Sequence, residues 1–539
     1  MKRLLILILA LILSFSLVFS LFGCDETDGA SENGTSDSNK EDLEKPGNSN
    51  NPTGSGNSDG SGKPGNGNEA SKPASDGLEY TLSDDETYYS VTGIGRCKDK
   101  DIVIPAFHKN LPVKAIGKEA FYRCEGITSM VIGDNITSIG NQAFLACINM
   151  TSVVIGDSVT SIGNDAFCRC ERLTSVEISD SVTSIGGSAF HGCYNLTKLV
   201  IPDSVTSIGD HAFYNCGLTS VEIPDSVTII DNSVFSSCDY LTSVVIPNSV
   251  TKIENYAFWH CESLESVVIP DSVTTIGDYA FEECDSIASL VIGNSVTSIG
   301  KRAFFYCERL TSLVIGDSVT YIGEWAFDSC QSLTSVVIPD SVTEIGDYAF
   351  RYCSRLTSIT VGENNTAYKS IDGNLYSKDG KTLVQYAIGK TDTDFTISDN
   401  VTAIGVGAFA SCSSLTSVII PDSVTTIGER AFAGCESFTS IEIPDRVTSI
   451  DGATFSYCTS LTSIVISDRV TSIGSYAFYN CNSLTTIYYK GTATEWSEIS
   501  IDSSNDKLTS TTLYYYSETE PAEAGNYWHY DGDGNVVVW

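Results

Sequence analysis

The sequence is short of base. Lys and Arg together number 31 against 68 Asp and Glu in 539 residues, a formal net charge of −37. Holding a phosphate backbone takes clustered Lys and Arg, so a chain this acidic is excluded as a nucleic-acid binder, and anionic membrane surfaces are disfavoured for the same reason. Methionine is limited to three residues and histidine to five. The histidines show no spacing suited to metal ligation or acid/base chemistry. Proline is also scarce, at 14 against 44 glycines, while the hydrophobic fraction of 42% is ordinary for a folding chain. Such a chain is either several globular domains or one long repeat array, and internal periodicity decides between them.

A single long apolar run, Leu4–Phe22, follows Lys2 and Arg3. This is the basic-then-hydrophobic pattern of a secretory leader, which predicts export. The run ends in Leu21-Phe22-Gly23-Cys24, which resembles a bacterial lipobox, although Phe22 departs from the small or β-branched residue usual there. Residues 1–23 are read as the signal peptide and Cys24 as the lipidation site. A plain signal peptide and an uncleaved span are the alternatives. Residues 24–77 are then the anchor cysteine and a tether. From 25 to 77 the composition is Asp, Glu, Ser, Gly, Asn and Pro with Leu43 the one large aliphatic residue, so nothing there offsets the entropy of folding.

From Cys124 to Cys353 a cysteine recurs every 23 residues, with one step of 22 at Gly217, and the series resumes from Cys412 to Cys481 after an interval of 59. Around each cysteine the sequence reads A-F-x-x-C-x-x-L-T-S-V-V-I-P-D-S-V-T-x-I-G. A fixed period of this length is the signature of a solenoid, in which no unit buries its apolar face alone. Within one unit, Leu333, Val336 and Ile338 read as the inward residues of a short strand. Pro339-Asp340-Ser341 turns the chain, and Val342–Ile345 forms a second extended segment. Ala349-Phe350 with Cys353 then predicts one inward-facing helical turn.

These residues closely resemble the BspA-like leucine-rich repeats of bacterial surface proteins, over about 80% of the chain. The likeness extends to Leu78–Pro105, similar to that family's N-terminal cap, to Ile371–Tyr386, similar to its interrupting hairpin, and to its C-terminal segment from Tyr488 through Tyr530. The fold expected is a strand-rich α/β solenoid: a leucine-rich repeat superhelix of short parallel strands with one helical turn per repeat, capped at both ends. Its parts would be an N-terminal cap at 78–117, the solenoid at 118–489 with a hairpin insertion at 362–397, and a C-terminal cap at 490–539. What the resemblance implies for function is surface display and adhesion to host matrix proteins, host cells or other microbes. It supplies no catalytic residue, metal ligand or cofactor to transfer.

Fifteen cysteines in one column admit three readings: disulfides, a metal ladder or buried thiols. Each lies three residues after a core Phe, with no carboxylate or histidine recurring beside it, which favours buried free thiols. Cys168 stands outside the column, and His191 occupies the same slot one coil later, so an outward-facing thiol–imidazole pair is expected there. No third residue or oxyanion donor accompanies it. A column of turn acids, among them Asp134, Asp157, Asp271 and Asp340, is read as turn-forming residues that accept backbone N–H bonds, with calcium as the lesser alternative. Asp531–Asn535 imitates the start of a calcium loop, but a hairpin turn is the better reading.

Two surfaces carry the candidate binding residues. The outward slot of the first strand holds an apolar column including Val245, Val268, Val291, Val314 and Val337, rimmed by Thr and Ser. It is either a docking stripe or the plain β-propensity of valine. On the opposite side Tyr256, Trp259, Tyr279, Phe305, Trp325 and Tyr348 are concentrated near the Ala-Phe pairs, either as an aromatic binding patch or as packing between coils. The leading expectation is an exported, membrane-anchored adhesin whose partner is a host or microbial surface protein. The alternative is a polysaccharide-capture protein serving a separate enzyme.

Overall fold

The structure is a computed structural model and describes residues 73–539; the leader, Cys24 and most of the tether lie outside the described residues. Each repeat contributes two short extended segments, and each stacks on its counterpart one coil away. Ser266–Ile269 pairs in parallel with Ser289–Ile292, which pairs with Ser312–Val314. Thr275–Ile276, Ser298–Ile299 and Tyr321–Ile322 form a second parallel ladder in the same way. The result is a strand-rich solenoid of about 19 turns. That exceeds the number of cysteine-marked units because the end segments coil too. Asp101–Val103 joins the first ladder beside Ser129–Ile132, and Thr512–Tyr516 and Tyr527–Tyr530 extend it beyond Thr486–Tyr489. Antiparallel hairpins close both ends, Glu79–Leu82 with Tyr89–Gly93 and Tyr527–Tyr530 with Val536–Val538.

The core is built from columns. Phe121 through Phe350 are fully buried, with successive rings stacked 5.0–5.6 Å apart. Burying one such side chain contributes about 1.5–3 kcal/mol. In the long interval the antiparallel strands Tyr368–Ile371, Asn374–Ser377 and Thr382–Gln385 occupy one level, and Tyr386 stacks on Phe409 at 5.2 Å to restart the column.

The expected helical turn per repeat is absent: among the described residues the only helices are Ala493–Glu498 and Asp506–Thr509, both near the C-terminus. The residue before Ala and the residue before Cys adopt left-handed backbone conformations in nearly every coil, as with Tyr256 (φ 58) and His260 (φ 58). Such residues cannot continue an α-helix. The N–H groups of Phe258 and His260 instead bond to Ala280 and Glu282 one coil on, at 2.8 Å each. The Ala-Phe-x-x-Cys segment is therefore a third inter-coil ladder made of turns.

Glycine after the second strand has a specific cause. A Cβ at Gly277, Gly300 or Gly323 would lie 2.5–2.6 Å from the backbone of the preceding coil. Asp231, Glu254 and Asp451 depart from that glycine. The second ladder is interrupted at Asp231 and Asp451, where Ile229–Ile230 and Ser449–Ile450 do not pair with the coil before, but it continues past Glu254.

Candidate interaction surface

The outward valines form the column their period predicts. Val268, Val291 and Val314 are aligned in register, and Val245 and Val337 hold the same slot one coil beyond at each end. Val268 and Val337 are 62% and 61% exposed, Val245 and Val314 are also exposed, and Val291 is half-buried. The column ends short of the C-terminus: Val465 is buried, at a level where the Tyr530 hydroxyl donates to Glu442 at 2.7 Å.

The threonine rim is less free than its sequence implies. Thr242 and Thr357 donate their hydroxyls to the carbonyls of Thr219 and Thr334 one coil back, at 3.0 and 3.1 Å. The same carbonyls accept the backbone N–H of those residues. At these two positions the rim offers a partner acceptor oxygens, the hydroxyl protons being used within the stack. Asp134, Asp271 and Asp340 among the turn acids are engaged likewise, across coils instead of within their own turn. Asp271 Oδ1 accepts from Asn294 N–H at 2.6 Å, and Asp340 Oδ1 from Asn364 N–H at 3.0 Å.

The aromatic set divides. Tyr256 is exposed and stacks on half-buried Tyr279 at 4.6 Å, with Trp259 half-buried nearby. Phe305 and Tyr348, by contrast, are each only 8% exposed. They belong to a lattice of rings and cations: Arg302 lies over Phe305 and Trp325 at 4.5 and 4.9 Å, Lys301 over Trp325 at 4.4 Å, and Arg351 over Tyr348 at 4.9 Å. Two buried acids anchor it, Glu282 to Arg302 at 3.3 Å and Asp328 to Arg351 at 2.7 Å. Burial pushes both carboxyls up to about 6 despite the adjacent guanidinium groups. Packing between coils thus accounts for Phe305 and Tyr348, while Tyr256 and parts of Trp259, Tyr279 and Trp325 stay accessible.

Sequence reasoning missed one cluster. His260 Nδ1 lies 3.3 Å from Asp239, and its Nε2 lies 3.4 and 3.6 Å from Glu262 and Glu283. Burial works against the charged imidazole, but the Asp239 hydrogen bond and the other two carboxylates outweigh it and hold its pKa above the ordinary value. Glu262 is two residues on in the chain, whereas Asp239 and Glu283 lie 21 before and 23 after the histidine and reach it only through the coil period.

The thiol–imidazole pair is not an activated one. Cys168 is buried rather than outward-facing, and burial raises its thiol to about 11, away from the thiolate. Burial also lowers His191, with nearby His211 and Arg169 acting in the same direction. Among the described residues no group of three or more His, Cys, Asp or Glu is arranged to hold a metal ion. Asp531 spends its carboxylate on the N–H groups of Asp533 and Asn535 at 2.9 and 2.8 Å, forming the expected hairpin turn. No helix among the described residues is long and apolar enough to cross a membrane.

A sequence profile described as the BspA type leucine rich repeat region (6 copies) matches residues 114–242, 160–288, 230–357, 274–379 and 381–507. Among solved structures, a leucine-rich repeat protein from Bacteroides ovatus is 27% identical, with a TM-score of 0.51, over 82% of this chain and 98% of its own. A leucine rich cell surface protein from Faecalibacterium prausnitzii is 28% identical, with a TM-score of 0.38, over 80% of this chain and 99% of its own. No curated protein matches the sequence.

Proposed function

Since the chain belongs to the BspA-type leucine-rich repeat family, we propose that it is a cell-surface interaction protein that docks a protein partner on the exposed valine column. One observation carries this reading: the in-register valines Val268, Val291 and Val314, continued by exposed Val245 and Val337, on a strongly acidic chain with no covering element among the described residues. Burying such a stripe under a partner supplies non-directional affinity, and the Thr and Ser hydroxyls of the rim set orientation. The partner class is a host matrix protein or a surface protein of a host or microbial cell. Residues 1–23 as a signal peptide, Cys24 as a lipid attachment and the tether to residue 77 complete the reading, holding the solenoid outside the cell.

Polysaccharide capture finds less support. Its platform would need open aromatic faces, and Trp325 already carries Lys301 and Arg302 over its ring. The deciding experiment is binding of the protein to arrays of matrix proteins and polysaccharides, beside a variant carrying Val268→Glu, Val291→Glu and Val314→Glu. Saturable protein binding that the variant loses, with its circular dichroism unchanged, supports the reading. Binding confined to glycans and sensitive to Trp259→Ala would replace it.

A further inference from the structure

The first ladder is broken at several levels, as between Ser243–Val245 and Ser266–Ile269, but at one level of the described repeats the coil contributes no strand to it at all. Ser175–Glu177 pairs only with Ser152–Ile155, and Ser220–Glu222 only with Ser243–Val245. The segment between them, residues 198–201, forms no strand and no main-chain hydrogen bond to either neighbour; the last such bond runs from Thr219 N–H to the Thr197 carbonyl at 3.1 Å. The segment is nevertheless extended and alternating. Leu199 and Ile201 turn into the core at 9% and 6% exposure, while Val200 is 80% exposed.

The one-residue deletion falls in the coil that follows. Gly217 stands alone where Tyr194-Asn195 stand in the coil before, and a Cβ at Gly217 would lie 2.2 Å from the Tyr194 carbonyl oxygen. The second ladder also breaks at this level, between Ser207–Ile208 and Ile229–Ile230. What holds the coils together here is the turn edge, where Phe213 N–H meets the Val234 carbonyl at 2.9 Å and the Phe213 and Phe235 rings stack at 5.5 Å. On the open side a groove of about 980 Å³ runs past Lys198–Ile201 and Ser220–Glu222 to Val245. Asp203, Glu222 and Asp225 line it against Lys198 alone.

We propose that this groove receives an extended, basic polypeptide segment of a partner protein by strand addition. The segment's main chain pairs with the open edges at Lys198–Ile201 and Ser220–Glu222, and its Lys or Arg side chains meet Asp203, Glu222 and Asp225. A ladder left open in mid-sheet presents main-chain donors and acceptors that a strand satisfies and a sugar or flat surface does not. A second copy of this chain is disfavoured as occupant, because it brings the same acidic rim and a net charge of −37. The inference deepens the proposed function and rests on it for the class of partner, but its site is separable from Val268–Val314.

The probe is a fluorescein-labelled heptapeptide of alternating Lys and Val, titrated against the full chain by fluorescence anisotropy. Beside it runs the same peptide N-methylated at alternate residues, which removes the donors of one edge. We expect saturable binding, weakened about tenfold or more by N-methylation, by Glu222→Lys, and by inserting one Asn between Gly217 and Leu218 to restore the full coil. The triple valine variant is expected to bind the peptide as the parent does. No peptide binding, equal binding of the methylated peptide, or undiminished binding by both the insertion and Glu222→Lys would overturn the proposal. The methylated peptide and the charge reversal keep the test decisive if the insertion does not fold. Loss of peptide binding with array binding intact leaves the valine stripe standing, whereas failure in both experiments removes both.

Discussion

The thiol of Cys261 donates to the main-chain carbonyl of Phe235, one coil back, at 3.2 Å, and the same carbonyl accepts the backbone N–H of Cys238 at 3.3 Å. The arrangement repeats from Cys147 on Phe121 through Cys353 on Phe327, and again from Cys435 on Phe409 through Cys481 on Phe455. Cysteine in this column is thus a small apolar side chain that also carries a proton for a second lone pair of a buried carbonyl. Replacing Cys261 with Ala should therefore cost more than lost volume alone, on the order of 1–3 kcal/mol for the lost second hydrogen bond and the small cavity together. A shifted urea midpoint would show it, with Cys261→Ser losing less than Cys261→Ala if the hydrogen bond matters.

The same geometry predicts thiol reactivity. Burial drives the Cys147 thiol up to about 12 and holds Cys170, Cys193, Cys238 and Cys261 well above the ordinary value, whereas Cys97 and Cys124 are only half-buried. In the folded protein at pH 8, Ellman's reagent should modify Cys97 and Cys124 and leave the buried column from Cys147 onward untouched until denaturant is added. Rapid modification of Cys261 or Cys284 in the native state would contradict the packing described.

The glycine after the second strand is a steric requirement. Gly300→Ala would place a Cβ 2.5 Å from the backbone of Gly277 and should destabilise by about 1–3 kcal/mol. The reciprocal change, Asp231→Gly, removes the side chain at an interrupted level and should raise the melting temperature. No rise would mean that the shortened coil at Gly217 alone keeps the ladder open.

Much of this was legible in the sequence. The 23-residue period, the buried Phe column and the inward Leu333, Val336 and Ile338 all follow from repetition and β-branched spacing. The turn edge was not, because Ala-Phe-x-x-Cys has the spacing of a helical turn; what overrides it is a pair of left-handed residues whose identities, such as Tyr256 and His260, give no warning. Contacts one coil apart were equally hidden. The Asp239 and Glu283 carboxylates at His260, the cations over Trp325 and the thiol–carbonyl bonds all join residues some twenty or more positions apart, and only the stacking register aligns them. The valine column was visible, whereas the burial of Phe305 and Tyr348 depended on which way each ring turns between coils.

The buried acids make a prediction about pH. Glu282 and Asp328 have pKa values raised to about 6, so the folded state holds their protons more tightly than the unfolded state does. Their contribution to stability is full below the ordinary carboxylate range and falls as pH rises through about 6. Asp328→Asn should accordingly gain stability relative to the parent as pH goes from about 4 to about 7, whatever its absolute cost to the Arg351 pair. Parallel stability–pH curves for the two proteins would rule out this assignment.

The most direct test of docking on the valine column places a photo-crosslinking benzoylphenylalanine at position 291 in one protein and at position 325 in another, each exposed to a ligand found on the arrays. Docking on the valine column gives a covalent product with a protein ligand from position 291 and little from 325. Crosslinking from 325 alone, or a ligand that is a glycan, would contradict it.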